Sequence, residues 1–379
     1  MNTSKKHIVS LARQHDYDRE SLKHSMAKLL EPFGGIRNFV KAGDRVILKP
    51  NLVMGFPPER AVTTHPEIIR AIGAMALDIG AKVSVGDSPG IGLAREAGEK
   101  AGMEAVLRDL GIPWVEFTPV ETFDETRVFK KLVLARELLE ADVVINLPKL
   151  KTHCQMLMTL ATKNLFGSVV GTQKFQWHYR AGLDKDVFAR MLYEIAKAIK
   201  PRLTIVDGII SMDGNGPTGG EPNPTGFLAA GEDVSVIDAV ILDVLGIPRE
   251  QLGTLKAAAS AGDNAWKNAT VVGENPLSLR PSRWKMPETT TLEMHASFLR
   301  RFPTIGRWLR RKFAAWPHTI EKKCVLCGDC VRICPAKAMT IDRTGIVINL
   351  DACIRCYCCH ELCSHQAMGL KKSWVQRFL

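Results

Sequence analysis

Nine of the ten cysteines of this 379-residue chain lie between residues 324 and 363. The first four, in the run CVLCGDCVRICP, have the spacing C-x2-C-x2-C-x3-C-P. A shift of 29 residues places them on the next four cysteines of the same spacing, and it places Ala338 and Met339 on Ala367 and Met368. The C-terminal region is therefore an internal repeat in which four cysteines recur at fixed intervals.

This spacing is typical of iron–sulfur ligation. Cysteines two residues apart converge on one cluster, whereas the fourth cysteine of each run ligates the other cluster. We therefore predict two [4Fe–4S] clusters. One would be held by Cys324, Cys327, Cys330 and Cys363, and the other by Cys353, Cys356, Cys359 and Cys334. Residues 315 to 372 resemble two-cluster [4Fe–4S] ferredoxins. A pair of zinc sites is the alternative, although zinc modules usually separate two C-x2-C pairs by a longer loop.

The second run contains a fifth cysteine and lacks the proline that follows the first run. Cys358 aligns with Asp329, which is not a ligand position, and Ser364 replaces Pro335. We interpret Cys358 as a small neighbour of the cluster; exchange with a ligand is the alternative.

Composition and charge place the chain among globular proteins of the cytoplasm. Hydrophobic residues make up 46% and charged residues 24%. No apolar run reaches the length of a membrane span, and the N-terminus has no apolar segment of a signal peptide. The net charge is +11, but residues 276–323 alone carry eleven Lys or Arg and three Asp or Glu. The excess therefore indicates a local cationic surface rather than nucleic-acid binding.

Residues 40 to 275 alternate short apolar runs with helical patterns, which predicts an α/β fold with a mostly parallel sheet and crossover helices. The expected strands are 45–49, 82–86, 143–147, 203–207 and 227–231, and the expected helices are 66–79, 92–110, 186–199 and 233–245. A strand and an amphipathic helix precede them.

Polar residues follow four of these strands, and ligands of open α/β sheets bind beyond the carboxyl ends of the strands. We interpret the segments after the strands as converging loops. They contain Lys49 and Asn51, then Asp87 and Ser88, then Asn146, Lys149, Lys151 and His153, and finally Asp207, Asp213 and Asn215.

The same region resembles the domain-of-unknown-function 362 family. The resemblance rests on ILKPNLV, TTHPE, VGDSPG, NLPKLKTH, TKNLFGSVVGTQK and MDGNGPTGG. It implies that His65, Lys163, Asn164, Lys174 and His178 join the site, and that the α/β region carries a ferredoxin pair in several family members. It implies an architecture and a site rather than a reaction.

Lysines and histidines together suit an anionic ligand, with histidine as acid or base. We predict catalytic roles for His153 and Lys151. The predicted ligand-binding residues are Lys49, Asn51, Asp87, Ser88, Asn146, Lys149, Lys163, Asn164, Asp207 and Asn215. The alternative is that the lysines are exposed surface residues and the histidines have only structural roles. Cys154 is expected to be a buried small residue, with a thiolate nucleophile as the alternative. The run MDGNGPTGG is either a loop that needs positive φ angles or a backbone nest for an anion.

A basic linker joins the two regions. Between residues 298 and 316 apolar residues recur at spacings of three and four, with Arg307, Arg310 and Arg311 off that stripe. This predicts a basic amphipathic helix that packs the two regions together, or else contacts an anionic membrane surface. The expected domains are an α/β domain (1–275), this linker (276–314) and a small α+β two-cluster ferredoxin-like domain (315–379).

The sequence favours an iron–sulfur oxidoreductase that passes electrons from a low-potential donor protein, through two [4Fe–4S] clusters, to an anionic small molecule at the α/β site. An additional cofactor or metal in the α/β domain stays open. Two alternatives also remain. One is an electron carrier or adaptor whose α/β domain docks a partner protein. The other is a non-redox α/β enzyme with structural or sensory clusters.

Overall fold

The computed structural model describes residues 7–171, 173–182, 184–287 and 314–371. The strands are β1 His7–Arg13, β2 Arg45–Pro50, β3 Lys82–Val85, β4 Pro119–Phe123, β5 Lys131–Ala135, β6 Val143–Leu147, β7 Lys149–His153, β8 Leu157–Thr159, β9 Leu203–Asp213, β10 Glu221–Asn223, β11 Phe227–Gly231, β12 Ala269–Gly273, β13 Trp316–Thr319, β14 Met339–Asp342, β15 Gly345–Ile348 and β16 Met368–Lys371.

The helices of the described residues are α1 Arg19–Leu30, α2 Pro66–Leu77, α3 Ala94–Lys100, α4 Met103–Leu110, α5 Arg136–Glu140, α6 Ala161–Asn164, α7 Gln173–Ala181, α8 Lys185–Ile199, α9 Val234–Leu245, α10 Gly253–Ser260, α11 Asp329–Arg332 and α12 Cys358–Glu361. Short 3-10 helices span Glu31–Phe33, Ile36–Asn38, Pro58–Arg60, Leu165–Ser168, Arg249–Gln251, Ala265–Asn268, Pro276–Leu279 and Glu321–Lys323.

A mostly parallel sheet organises the large domain, as predicted. Its main strand order is β12-β1-β11-β9-β6-β2-β3. Neighbours are parallel from β9 through β6 and β2 to β3, and also between β12 and β1. Strand β11, which was predicted at 227–231, is antiparallel to both of its neighbours, β1 and β9. It therefore runs opposite to them.

Helices cover both faces of this sheet. In β2 the side chains of Val46 and Leu48 join the apolar cluster that contains α1, α2 and α4, whereas Ile47 joins the cluster that contains α8, α9 and α10. Alternate residues of one strand therefore enter two cores, as expected for a sheet buried on both sides. Each fully buried aliphatic side chain contributes about 1.5–3 kcal/mol of hydrophobic stabilisation.

Local signals fix the ends of the long helices. The carboxylate of Asp184 accepts hydrogen bonds from the backbone N–H groups of Asp186 and Val187 at the start of α8. Asp233 has the same role at the start of α9, which ends at Gly246 in the left-handed conformation. Capping of this kind is worth about 1 kcal/mol per helix end.

The structure corrects the interpretation of two predicted loops. Residues Lys149–His153, expected to follow a strand as a loop, form β7, and all five residues are buried. Strand β9 continues through Asp213 rather than ending at residue 207. Pro148 is the one residue between β6 and β7. Strand β7 pairs parallel to β9 and antiparallel to β8.

The C-terminal module repeats its backbone as well as its sequence. The backbone N–H of Ala338 donates to the Cys334 sulfur, and that of Ala367 donates to the Cys363 sulfur, each at 3.2 Å. Positive φ angles recur at the equivalent pairs Leu326 and Arg355, Gly328 and Tyr357, and Lys337 and Gln366. The internal repeat is therefore confirmed.

The predicted basic amphipathic helix falls almost entirely on residues 288–313, which lie outside the described residues. The proposed domain boundaries therefore stay a prediction. Within the described residues, no helix is both long and apolar enough to cross a membrane.

Candidate functional site

Lysine side chains are concentrated beneath the polar ends of the strands. Four of them, Lys49, Lys149, Lys151 and Lys174, are buried, and Lys163 beside them is partly exposed. Burying a charged group is costly unless it is paired or hydrogen-bonded, so the partner of each lysine decides what the group can do.

Lys49 is paired with Asp87, at 2.9 Å between Nζ and Oδ1. The other carboxylate oxygen accepts a hydrogen bond from the backbone N–H of Leu52 at 3.0 Å. Burial lowers the pKa of Lys49, and Asp87 partly offsets that effect. Gly167 packs against this pair, since a Cβ there would lie 2.0 Å from Oδ1 of Asp87 and 2.6 Å from Nζ of Lys49.

Lys149 belongs to a saturated network. Its Nζ is 2.8 Å from Oδ2 of Asp207 and donates to the Tyr17 hydroxyl at 2.9 Å. That hydroxyl donates to the other oxygen of Asp207 at 2.8 Å, and the Tyr17 ring stacks on His65. Burial lowers the pKa of His65 to about 4. Lys149 and Asp207 therefore have their charged groups paired with each other and with Tyr17 inside the domain.

Lys151 and Lys163 differ from the other two. Within the described residues neither forms an ion pair, and Lys151 donates to the backbone oxygen of Val62 at 2.6 Å. Burial and the neighbouring charge of Lys163 hold the pKa of Lys151 well below its usual range. We refer to the region around Lys151 and Lys163, where no carboxylate of the described residues is in ion-pair contact with either lysine, as the lysine pocket.

Lys174 and Ser88 approach the same pocket from another side. Nζ of Lys174 donates to the Ser88 hydroxyl at 2.6 Å and to the Ser88 backbone oxygen at 2.7 Å. Burial lowers the pKa of Lys174 to about 7, although Asp87 opposes that effect. The protonation of this lysine is therefore adjustable at neutral pH.

Three of the four predicted asparagines form a chain of amides. Asn51 donates to the side-chain oxygen of Asn164 at 2.9 Å, and Asn164 donates to that of Asn146 at 2.8 Å. Asn146 in turn donates to the backbone oxygen of Ala161 at 3.1 Å. These amides connect β2, β6 and α6, and they fix the walls of the pocket.

His153 is buried with a defined orientation. Its Nδ1 accepts backbone hydrogen bonds from Gln155 at 3.1 Å and Met156 at 3.2 Å, and its Nε2 lies 3.0 Å from Oε1 of Glu361. Burial lowers the pKa of His153 to about 4 despite that carboxylate. The ring is therefore neutral at pH 7 with its proton on Nε2, although the 3.0 Å contact with Glu361 lacks the alignment of a hydrogen bond.

Glu361 is the site residue that sequence reasoning missed. It ends α12 of the C-terminal module, yet its carboxylate enters the pocket of the α/β domain with a side chain that is 12% exposed. Although burial opposes ionisation, His153 and Lys163 hold the pKa of Glu361 well below its usual range. Nothing in the local sequence indicates that a residue of the cysteine repeat reaches so far.

Metal-ligating atoms of His153, Cys154 and Glu361 lie within 4.8 Å of one another. A metal bound here would need the lone pair of Nε2, but Nδ1 already accepts two backbone hydrogen bonds, which places the ring proton on Nε2. Burial also raises the pKa of the Cys154 thiol. The local chemistry therefore favours a protonated His153–Glu361 contact over a metal centre.

The glycine-rich loop at 213–220 contacts the C-terminal module. The Thr218 hydroxyl donates to the backbone oxygen of Glu361 at 3.1 Å, and Gln366 donates to the backbone oxygen of Thr218 at 2.9 Å. Nε2 of His360 lies 3.3 Å from the backbone oxygen of Asn215. The structure thus places predicted residue Asn215 at an interdomain contact.

The cysteines of the module gather in two groups. Burial raises the pKa of Cys330 to about 11, and the nearest cysteines that add to this effect are Cys363, Cys327 and Cys324. A cavity elsewhere in the module is lined by Cys334, Cys353, Cys356, Cys358 and Cys359, together with apolar side chains. The second group therefore contains the four predicted ligands and Cys358 as a fifth cysteine, and the donor set of each group fits [4Fe–4S] ligation.

Cys358 is buried beside the second group. Its thiol is in hydrogen-bond contact with Cys356, which raises the pKa of Cys358 and lowers that of Cys356. This contact fits the interpretation of the fifth cysteine as a neighbour of the ligands.

The fold and the site together define an α/β protein with a cationic pocket and an appended cysteine-rich iron–sulfur module. Residues 46–243 match the family described as domain of unknown function (DUF362), and residues 317–364 match the 4Fe-4S dicluster domain. The chain belongs to the DUF362 family, as its motifs predicted, and carries a 4Fe–4S ferredoxin-type domain.

One similar protein is the thylakoid-associated protein sll1697 of Synechocystis sp. It is 45% identical over 281 residues, which cover 74% of this chain and 88% of that protein. A weaker likeness links the chain to the structure of the lactate racemase apoprotein from Thermoanaerobacterium thermosaccharolyticum. That match has a TM-score of 0.34 and 13% identity, and it covers 55% of this chain and about half, 51%, of that one. It is too distant to carry an argument.

Proposed function

We propose that this protein is an iron–sulfur oxidoreductase in which the C-terminal module exchanges electrons with an anionic small molecule held in the lysine pocket. The observation that carries the proposal is the position of Glu361. This residue follows the cysteines of α12 and contacts His153 at 3.0 Å within the α/β domain. The cluster-binding segment and the cationic pocket are therefore adjacent.

The pocket suits an anion because its positive charges outnumber its carboxylates. Asp87 and Asp207 neutralise Lys49 and Lys149. Glu361 is the carboxylate with the largest influence on the pKa of both Lys151 and Lys163, Asp87 has a smaller influence on Lys151, and Glu361 also faces His153. We assign Lys151 and Lys163 to binding the anionic group.

His153 is proposed to govern the proton at this site. Its Nε2 lies 3.0 Å from Oε1 of Glu361, and Nδ1 accepts hydrogen bonds from the backbone of residues 155 and 156. The ring cannot rotate without losing both backbone hydrogen bonds, so the proton stays at one defined atom. Nε2–H has no aligned hydrogen-bond acceptor among the described residues, so a carboxylate or phosphate ligand could accept its hydrogen bond.

The proposal includes two [4Fe–4S] clusters. The first would be held by Cys324, Cys327, Cys330 and Cys363, and the second by Cys353, Cys356, Cys359 and Cys334. Clusters of this type supply one-electron transfer when bound. Three cysteines of the second set, but only Cys363 of the first, lie in the repeat that carries Glu361, which favours the second set as the one nearer the pocket.

A metal and cofactor inventory is the first test. Anaerobically purified protein should contain about eight iron and eight sulfide per chain for two cubanes. About four of each would contradict the two-cluster proposal. A flavin or further metal would locate an additional redox group in the α/β domain.

The anion site is tested by calorimetry with inorganic phosphate and a panel of short-chain carboxylates. We expect the double variant Lys151→Met/His153→Gln to weaken the best ligand at least tenfold, since it removes one cation and the defined proton. The matched control is Lys23→Met/His24→Gln, two exposed residues of α1. Equal affinity in both variants would place the anion elsewhere.

The carrier alternative makes a different prediction. If the α/β domain only docked a partner protein, reduced clusters would exchange electrons with that protein without turnover of any small molecule. Burial of Lys49, Lys149 and Lys151 disfavours that alternative, because buried groups do not contact a docked protein surface.

We retain a cytoplasmic location as part of the proposal. The relative named as thylakoid-associated adds a reason to test contact with a membrane surface. The basic residues of the 276–323 segment would supply the attraction to anionic lipid. Sedimentation with anionic vesicles at low and high salt would measure it.

A further inference from the structure

The two cysteine repeats have equivalent faces, and among the described residues (7–171, 173–182, 184–287 and 314–371) the α/β domain covers the docking positions of the second repeat alone. In the second repeat, Glu361 enters the α/β pocket and Gln366 donates to the Thr218 backbone oxygen. The shift of 29 residues that superimposes the repeats places Arg332 at the position of Glu361 and Lys337 at that of Gln366. Both docking positions of the first repeat are therefore cations.

These two cations face solvent. The side chain of Arg332 is 71% exposed, although it contacts Asp329, and Lys337 is exposed as well. The loop beside them exposes Val325 (59%) and Leu326 (50%). An exposed apolar pair with cations nearby is the composition of a protein-docking face.

The cysteines differ between the repeats in the same way. Cys327 is exposed, whereas its equivalent Cys356 is 7% exposed. The second repeat is covered by the α/β domain, where Leu362 packs directly on Gly90. The cysteine group of the first repeat is thus the one that another protein can approach.

We propose that the face formed by Val325, Leu326, Arg332 and Lys337 is the docking site for a small acidic electron-transfer protein. The inference rests on the proposed redox function and names the partner class. The two repeats of this chain show which charges match. The second repeat presents an acid, Glu361, and docks on a basic pocket. The first repeat presents Arg332 and Lys337, so its complementary surface is acidic.

Other occupants fit less well. A second copy of this chain carries a net charge of +11, and the segment 288–313 carries six Lys or Arg against two acids. Both have the same sign as the face and would be repelled by it. An anionic lipid surface shares the required charge and is separated from a protein partner by experiment.

The proposed exchange is a one-electron transfer. A reduced [2Fe–2S] ferredoxin would lose one electron, and an oxidised [4Fe–4S] cluster held by the first cysteine set would gain it. No bond is formed or broken, and no proton is transferred. The reductant is the partner itself, so the step is balanced.

Binding is measured by calorimetry on the anaerobic holoprotein, with an oxidised acidic plant-type [2Fe–2S] ferredoxin as the probe. We expect the affinity to fall with added salt and the double variant R332E/K337E to raise the Kd at least about tenfold, in line with the steering range of complementary charges. The control K82E/K100E makes the same charge change at two exposed lysines of the α/β domain. It should leave the Kd within about twofold.

R332E places a second acid beside Asp329, so R332Q/K337Q is measured as well, with K82Q/K100Q as its control. Iron content must match the parent protein in each case. Equal loss of affinity in a variant pair and its control would overturn the inference, since only net charge would then matter. Absence of binding at low salt would also overturn it, as would anionic vesicles competing as the preferred ligand of the same residues.

Stopped-flow reduction separates this inference from the proposed function. If dithionite reduces the clusters but the reduced ferredoxin does not, the docking inference fails and the redox function stands. If no low-potential reductant reduces them, the proposed function fails. Rapid reduction by ferredoxin that is slowed in R332E/K337E supports both.

Discussion

Replacing Glu361 with glutamine should release the C-terminal module from the α/β domain. The carboxylate lies 3.0 Å from Nε2 of His153, and its side chain is 12% exposed. Because His153 is neutral at pH 7, this is a contact between a charged and a neutral group, which is worth about 1.5–3 kcal/mol. Lys163 also loses the carboxylate that most supports its charge, so we expect about 3 kcal/mol, at the upper end of that range.

Such a loss is large enough to measure as local opening. At about 1.4 kcal/mol per factor of ten, 3 kcal/mol raises the open population about 100-fold. Hydrogen exchange should therefore accelerate by about that factor at the amides of α12 and in the loop 213–220 that contacts it. The rest of the sheet, including β2 and β6, should keep its protection.

The matched control is Glu321→Gln, which removes an exposed carboxylate from the same module. It should leave exchange in both segments unchanged. Identical exchange in the two variants would refute the reasoning, because the buried carboxylate would then contribute no more than a solvated one. Acceleration throughout the large sheet would refute it in another way, by showing that Glu361 supports the fold rather than the docking.

Three further predictions follow from single contacts. Gly167→Ala should destabilise the protein by about 3–5 kcal/mol in urea unfolding, because its Cβ would lie 2.0 Å from Oδ1 of Asp87 within a buried ion pair. His178 is buried against Phe188, and its pKa is lowered by burial to about 4, so the unfolded chain binds more protons as pH falls from 6.5 toward 4. His178→Phe should therefore gain about 2 kcal/mol relative to the parent between pH 7 and pH 5, measured by urea unfolding; an unchanged difference would contradict the burial argument. Cys359→Ala should lower the iron content by about four per chain while Cys358→Ala retains it; equal losses would make the fifth cysteine a ligand.

The sequence predicted the scaffold well because strand and helix periods are local. The strands at 143–147 and 227–231 were predicted with the observed bounds, and the 29-residue repeat reappears in the backbone conformation. Residues 149–153 were misinterpreted as a loop because four polar side chains lie within five positions. Their side chains are buried by groups from distant segments, such as Asp207 beside Lys149, which local patterns do not contain.

The candidate site was predicted less completely, because its arrangement depends on contacts between domains. The lysines and asparagines were named, but their partners were not. Glu361 lies in the cysteine repeat, and a repeat pattern directs attention to its ligands. The usable signal was the difference between the repeats, since Arg332 and Glu361 occupy equivalent positions with opposite charge. That inversion indicates two different surroundings for two similar segments.

The charges around the proposed pocket predict that an anion binds there together with protons. Asp87 and Asp207 each pair with one lysine, and Glu361 lies near Lys163 and the neutral His153. Burial and the neighbouring charge of Lys163 hold the pKa of Lys151 well below its usual range, and burial lowers the pKa of Lys174 to about 7. A bound anion would raise the pKa of both lysines. We therefore expect anion binding to be accompanied by proton uptake.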